Sequence, residues 1–175
     1  MKKIILLILI LQQYFVFAQE PPKMLKYNAK NASNVFYYNE DEVSKKIKIK
    51  KDNTKSIVIN ALKVYNDKIR VITFLNNQKF QELDVIVNTM GKEARNNPDL
   101  GRRIRQRIEI VVLPIRDSIK KNEEILNTTL QPVLTEKQFK RWKKYQKRKK
   151  EDLRPKQPRK EEQQTSRPRN NRRRY

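Results

Sequence analysis

No Gly and no Pro occurs from Lys23 to Met90, and this constrains the fold more than any other feature of the chain. Apolar residues recur there at three- and four-residue steps, the spacing of one helix face. They are Val58, Leu62, Tyr65, Ile69, Ile72, Leu83, Ile86 and Met90, with Leu75 and Phe80 one residue out of step. The β-branched run 70–74 would also suit a strand, but strands need turn residues between them. We therefore predict one long helix from about Lys55 to Met90, loosened at Asn76-Asn77, with candidate caps at 52–54.

A second long helix is predicted after Asn97-Pro98-Asp99, which supplies a cap, a first-turn proline and an acidic residue near the positive end of the dipole. Its apolar stripe comprises Leu100, Ile104, Ile108, Val111, Ile115, Ile119, Leu126, Leu130 and Val133. Pro114 removes the hydrogen bond to the carbonyl of Ile110. Because the stripe stays in phase on both sides of Pro114, we predict a kink and not a break.

Shorter helices are predicted at both ends of this pair. Acidic residues 40–42 suit the first turn of an N-terminal helix. The aromatic cluster 35–38 before them is interpreted as a lid packed on the helices, since a base-stacking platform would have basic neighbours. Near the other end, Thr135 and Gln138 can form a capping box, and Leu134 can pack on Phe139 as a hydrophobic staple. The predicted fold class is all-α: two long antiparallel helices, the second kinked, with these two shorter ones.

The first 18 residues have the plan of a secretory signal peptide, with two lysines, an apolar run over 4–11, and small residues at the cut. Val16 and Ala18 suit the −3 and −1 positions, so cleavage is expected after Ala18. A membrane span needs about 20 apolar residues, and Gln12-Gln13 interrupts this run after eight. Export to the periplasm or beyond is therefore favoured over an anchor. Residues 19–38 are predicted to be an irregular lead-in, 39–153 the helical domain, and 154–175 a disordered basic tail.

The amino-acid composition argues against most catalytic mechanisms. The chain has no Cys, no His and two Gly, which argues against disulfides, most zinc sites, His-dependent nucleophilic catalysis and phosphate-binding glycine loops. We therefore expect no enzyme activity, no catalytic residues, no metal and no cofactor.

The net charge of +23 predicts attraction to polyanions. From Lys140 to Tyr175 there are 17 Lys and Arg against four Asp and Glu. A solvated face that aids solubility and a polyanion contact remain equal alternatives. The candidate residues for binding clients or anions are Arg102, Arg103, Arg105, Arg107, Lys140, Arg141, Lys143, Lys144, Lys147 and Arg148, with Arg172, Arg173 and Arg174 in the tail.

Leu134, Thr135 and Gln138 match the LTxxQ motif, and the chain thereby resembles the Spy/CpxP family of small helical periplasmic chaperones and stress sensors. One copy of the motif is present, whereas family members commonly carry two. The residue usage, with Ala-Gln at the cut, also looks like that of secreted Bacteroidetes proteins. The resemblance implies a helical cradle with a basic concave surface that holds partly unfolded proteins, and often a homodimer. Family members that sense metals use His or Met, so the absence of His argues against metal sensing.

Three functions therefore compete. The leading hypothesis is a non-enzymatic envelope protein, chaperone-like or a modulator of stress responses, that binds unfolded or anionic protein clients. The second is a structural or adhesive binder of anionic envelope polymers through the basic tail, touching the membrane only peripherally. The weakest is a nucleic-acid binder, which would gain support if the first 18 residues stayed uncut on a cytoplasmic protein.

Overall fold

A computed structural model describes residues 25–155. Helix takes up 79% of them, in six helices with no strand, so the prediction of an all-helical fold is confirmed. The elements are α1 (Ala29–Ala32), α2 (Glu40–Ile47), α3 (Asp52–Leu75), α4 (Asn77–Met90), a 3₁₀ turn (Glu93–Arg95), α5 (Pro98–Leu130) and α6 (Glu136–Asp152).

The predicted helix from Lys55 to Met90 is present as α3 and α4, interrupted at Asn76 alone. There the backbone N–H and the side-chain amide of Asn76 both donate to the carbonyl of Ile72, at 3.2 and 2.8 Å. The prediction that 52–54 caps α3 was wrong. Lys51 occupies the cap without a side-chain hydrogen bond, and Asp52 is already helical. Its carboxylate lies in the first turn, where the helix dipole favours negative charge.

The cap predicted for α5 is confirmed, since the Asn97 side chain accepts from the N–H of Leu100 at 3.1 Å and Pro98 opens the helix. The helix is 33 residues long and continues past Pro114 without a break. At 1.5 Å per residue, α5 is about 50 Å long.

Helices α3 and α5 form the central pair and run in opposite directions. Val64 lies beside Ile125, whereas Leu75, later in α3, lies beside Ile110, earlier in α5. Their facing stripes supply much of the buried core, including Leu62, Ile69, Val112, Ile119 and Leu130.

One side of this pair is covered by residues 25–38, α2 and α6. An aromatic cluster fills the interface: Tyr38 lies 4.8 Å from Trp142 and 5.1 Å from Tyr65, measured between ring centroids, and Tyr145 stacks on Trp142. Val35, Phe36 and Tyr38 are buried whereas Tyr37 is 45% exposed, so the interpretation of 35–38 as a packed lid is confirmed for three of its four residues. Aromatic pairs at these distances add to the stabilisation that burial alone provides.

Residues 25–38, which the sequence indicated only as an irregular lead-in, contain the single turn α1 and are held by polar side chains. Asn66 and Asn88 each bond both the N–H and the C=O of one backbone residue, Tyr38 and Tyr27 respectively, at 2.8 to 3.0 Å. Arg116 donates to the carbonyl of Ala32. Although a pattern of basic residues along α5 would place Arg116 on the outer face of the helix, Arg116 is therefore a structural tie to residues 25–38.

Candidate binding surface

The side of the α3–α5 pair opposite α6 carries exposed apolar side chains. We call this surface the open seam and define it by Val64, Ile72, Leu75, Ile110, Pro114 and Ile125. Leu75 is 71% exposed and Ile110 is 68% exposed, although both lie on the two longest helices of the fold. Large apolar side chains gathered on one face mark interaction surfaces more often than scattered ones do.

Two hollows of the seam lie between α3 and α5. The larger is a groove of about 450 Å³ lined by Leu75, Ile110 and Pro114. The smaller, of about 180 Å³, lies between Val64 and Ile125. Ile110 and Ile125 are fifteen residues apart on one helix, so the two hollows lie about 22 Å from each other along α5. That span would accommodate a short helical or extended peptide segment.

Cations flank the seam. Lys79 and Arg107 line the larger groove, and Lys68 lines the smaller hollow. Arg107 lies 3.6 Å from Glu82 in an ion pair that is half exposed on both sides, and such pairs hold their partners weakly. The rim of the seam thus favours ligands that combine apolar groups with negative charge.

Pro114 has a second consequence at this surface. Proline has no N–H, so the carbonyl of Ile110 loses its partner within the helix. The residue whose carbonyl is released and the proline that releases it both line the larger groove.

The basic residues singled out from the sequence fall into two separate groups. Arg102, Arg103, Arg105 and Arg107 are exposed near the start of α5. The α6 group lies near the other end of α5, because Trp142 Nε1 donates to Asn127 at 2.8 Å. Arg107 and Asn127 are 20 residues apart on one helix, or about 30 Å. The two groups therefore lie about 30 Å apart, and of their ten residues Arg107 alone lines the open seam.

The α6 group consists of Lys140, Arg141, Lys143, Lys144, Lys147 and Arg148. Arg141 is half-buried and the other five are exposed. Lys147 lies 4.0 Å from Glu151, and within the described residues the other five form no ion pair. Arg172, Arg173, Arg174 and the predicted signal peptide lie outside the described residues.

The next two basic residues of α6 behave differently, because they hold the helix in place. Lys149 lies 3.1 Å from Glu42 of α2, and Lys150 bonds the buried Glu123 of α5. Burial lowers the pKa of Lys149, but its hydrogen bond to Glu42 and the nearby Tyr145 outweigh that effect, so the pKa is raised from its usual value of 10.5.

The LTxxQ segment forms the N-terminal cap of α6. Thr135 accepts from the N–H of Gln138, and the Gln138 side chain accepts from the N–H of Thr135, which together form a capping box. Gln138 Nε2 also donates to the carbonyl of Lys48 at 3.2 Å, which joins α6 to the end of α2. Leu134 is buried and Phe139 packs against the same core.

Sequence reasoning missed the open seam, although the sequence contains a signal for it. Ile57, Val64 and Val71 recur at seven-residue steps beside the main stripe of α3. All three are exposed. A helix that needs one face for a core would carry polar residues at such positions.

In the part of the chain that the structure describes, no cluster of three or more acidic residues is placed to hold a metal ion. No helix in this part is long and apolar enough to cross a membrane. Compared with known proteins, the chain matches no family model, no curated protein and no solved structure.

Proposed function

We propose that this protein is an exported, non-enzymatic, chaperone-like protein or stress-response modulator that binds partly unfolded proteins on the open seam. The observation that carries the proposal is the exposure of Leu75 and Ile110 beside a groove with a cationic rim. Transient exposure of apolar segments is what distinguishes unfolding proteins from folded ones. The cationic rim favours client segments with acidic residues, in keeping with the net charge of +23.

Three further features belong to this proposal. We infer cleavage after Ala18, kinship with the Spy/CpxP proteins through Leu134, Thr135 and Gln138, and a bend at Pro114 that makes the seam a shallow cradle. Mass spectrometry of the N-terminal peptide of protein purified from the cell envelope tests the first feature. An N-terminus at Gln19 is expected, and an N-terminus at Met1 would contradict export by a cleaved signal.

An aggregation assay tests the proposal with three single variants. Leu75→Asp and Ile110→Asp place a charge in the groove, and each should reduce the suppression of aggregation of an unfolding client about tenfold. Val85→Asp is the control, because Val85 is an exposed valine that lines neither hollow of the seam. Wild-type protein that leaves aggregation unchanged at equimolar ratio would refute chaperone activity. Equal loss in all three variants would refute the seam as its site.

A second copy of the chain is the competing occupant of the seam, since the family resemblance implies dimers. Sedimentation of wild type and Ile110→Asp distinguishes the two occupants. Client binding predicts the same mass for both proteins. A dimer that the substitution dissociates would assign the seam to self-association instead.

A second candidate function is binding of anionic envelope polymers through α6 and the basic tail. It is favoured by one observation: five of the six residues of the α6 group form no ion pair among the described residues. Replacing Lys140, Lys143 and Lys144 by Gln should lower the salt concentration at which the protein elutes from heparin. The same number of substitutions at Arg102, Arg103 and Arg105 is the matched control. If the salt concentration for elution stays unchanged after both the α6 substitutions and truncation at Leu153, this function is refuted.

A further inference from the structure

The exposed apolar side chains of the open seam lie along two antiparallel helices. Val64 and Leu75 belong to α3, Ile110 and Ile125 belong to α5, and the four are between 61% and 71% exposed. Side-chain ridges of one helix pack into the grooves that neighbouring helices present. The two hollows lie about 22 Å apart, which is the length of about 15 helical residues. A helical segment of about four turns would therefore reach from one hollow to the other.

Backbone hydrogen bonding at the seam favours a helical ligand over an extended one. The residues that define the seam are helical, and the backbone N–H and C=O groups of a helix bond mostly within it. An extended segment buried there would leave many of its own backbone groups without partners, and each such group costs free energy. A helical segment pairs these groups internally and presents only its side chains to the seam.

Three polar side chains that line the hollows are engaged with the protein's own backbone. Asn76, Asn122 and Thr129 each donate to the carbonyl four residues earlier in the chain, at 2.8 to 2.9 Å. They lie beside the exposed Leu75 and Ile125. The seam therefore offers a ligand mainly apolar contact, which suits the apolar face of an amphipathic helix.

The cations at the rim indicate the charge that the ligand carries. Lys68 lines one hollow, Lys79 and Arg107 line the other, and within residues 25–155 no acidic side chain lines either hollow. Of these three cations, Arg107 alone has an ion-pair partner among the described residues, namely Glu82. The rim is therefore complementary to acidic side chains along the flanks of a bound helix.

We propose that the seam binds its clients in helical form. An amphipathic client segment of about four turns, with acidic flanks, packs on α3 and α5 as a third helix. This inference rests on the proposed function of the seam and specifies the conformation and charge of the client segment.

Fluorescence anisotropy with the full mature chain tests the proposal, using labelled peptides of about 18 residues. The first peptide has Leu at the three- and four-residue steps of a helix, with Glu and Gln elsewhere. The second has the same composition in the alternating order of a strand. The third is the first with Pro at one central position, and the fourth is the first with Lys in place of Glu.

The first peptide should bind at least tenfold more tightly than the second and the third, and the fourth should not bind. The first and second peptides carry the same charge, so non-specific attraction to the basic chain is the same for both. Measurement at about 0.15 M salt reduces that attraction further. Carbon-13 chemical shifts of the labelled first peptide should be helical when it is bound.

Variants of the protein locate the site. Leu75→Asp and Ile110→Asp should each weaken binding of the first peptide about tenfold, whereas Val85→Asp makes the same change of charge away from the hollows and should alter Kd less than twofold. Replacing Lys68 and Lys79 by Gln should weaken binding three- to tenfold. The matched control replaces Lys140 and Lys143 by Gln and should alter Kd less than twofold.

Equal affinities for the first two peptides, or extended carbon-13 shifts in the bound state, would overturn the helical form of the client. Binding that Leu75→Asp leaves unchanged would overturn the seam as the site of the helix. Equal weakening by the two pairs of lysine substitutions would overturn the acidic flanks. The proposed function survives all of these results if aggregation is still suppressed in a way that depends on Leu75 and Ile110. Wild-type protein that suppresses no aggregation would instead refute the proposed function, whichever peptides bind.

Discussion

At the scale of single residues, Trp142 joins α6 to the rest of the protein. Its side chain has no exposed surface and lies against Tyr38 and Tyr145. Its indole N–H donates to Asn127 on α5, so the ring satisfies its one polar group while it fills the core. A buried indole with a partner combines apolar burial with a fixed orientation.

Trp142→Ala should lower the free energy of unfolding by about 3 to 5 kcal/mol, because it removes the buried ring and leaves a cavity. Urea denaturation followed by circular dichroism measures the change. Phe74→Ala is the control, because Phe74 is 79% exposed and its loss should change stability by less than about 0.5 kcal/mol. Similar losses in both variants would contradict the position of Trp142 in the core.

The Glu42–Lys149 contact should make stability depend on pH. Burial raises the pKa of Glu42, but the hydrogen bond from Lys149 and the nearby Tyr145 more than offset this, so the pKa is lowered from its usual value of 4.5. A lowered carboxyl pKa stabilises the fold above the unfolded value and ceases to do so as pH falls through the folded value. The pKa of Lys149 is raised, so its contribution is complete below pH 10.5 and is lost above that, as pH rises through its folded pKa.

Glu42→Gln should therefore flatten the fall in stability between about pH 5 and 3, relative to wild type. Urea midpoints measured across this range check it. Asp67→Asn is the matched control, since its partner Arg70 and Asp67 itself are both largely exposed and such pairs contribute little. Parallel acid limbs in wild type and Glu42→Gln would show that this contact does not stabilise the docked α6.

At the scale of elements, Pro114 should bend α5. Replacing it by Ala restores the N–H that bonds the Ile110 carbonyl and removes the ring that crowds that turn. Pro114→Ala should therefore straighten the helix and lengthen the molecule in small-angle scattering. A scattering profile identical to that of wild type would count against the bend.

The long helices were predictable because their apolar residues recur with the helical period. The starts of α5 and α6 were predictable because each cap is formed by a few adjacent residues. Asn97-Pro98-Asp99 and Thr135 to Gln138 identify helix starts from a few adjacent residues. The path of residues 25–38 was not predictable, because it depends on Asn66 and Asn88, distant in sequence. The start of α3 was misplaced since polar residues at 52–54 suit both a cap and a first turn.

The candidate site was less predictable than the fold. Arg102 and Lys140 each belong to an evident basic group, but one sequence cannot show that the two groups lie near opposite ends of α5. The open seam is exposed because α6 and residues 25–38 both pack on the other side of the α3–α5 pair. Aromatic packing around Trp142 determines on which side these segments lie, and no local sequence pattern indicates it.

At the scale of the whole molecule, the two sides of the central pair have different roles. One side is closed by the aromatic cluster and by ties such as Lys149–Glu42. The other presents Leu75 and Ile110 with a cationic rim. The proposed function therefore assigns stability and binding to opposite faces, and it predicts that substitutions on the seam alter client binding while leaving the fold intact.

Photo-crosslinking from the seam tests this central claim most directly. A photoreactive amino acid is placed at Val64 in one protein and at Val85 in another, because both valines are 61% exposed and only Val64 lines the seam. Each protein is irradiated with an unfolding client, and the yield of crosslinked client is measured. The account predicts at least fivefold more crosslinked client from Val64 than from Val85. Equal yields from the two positions would contradict it.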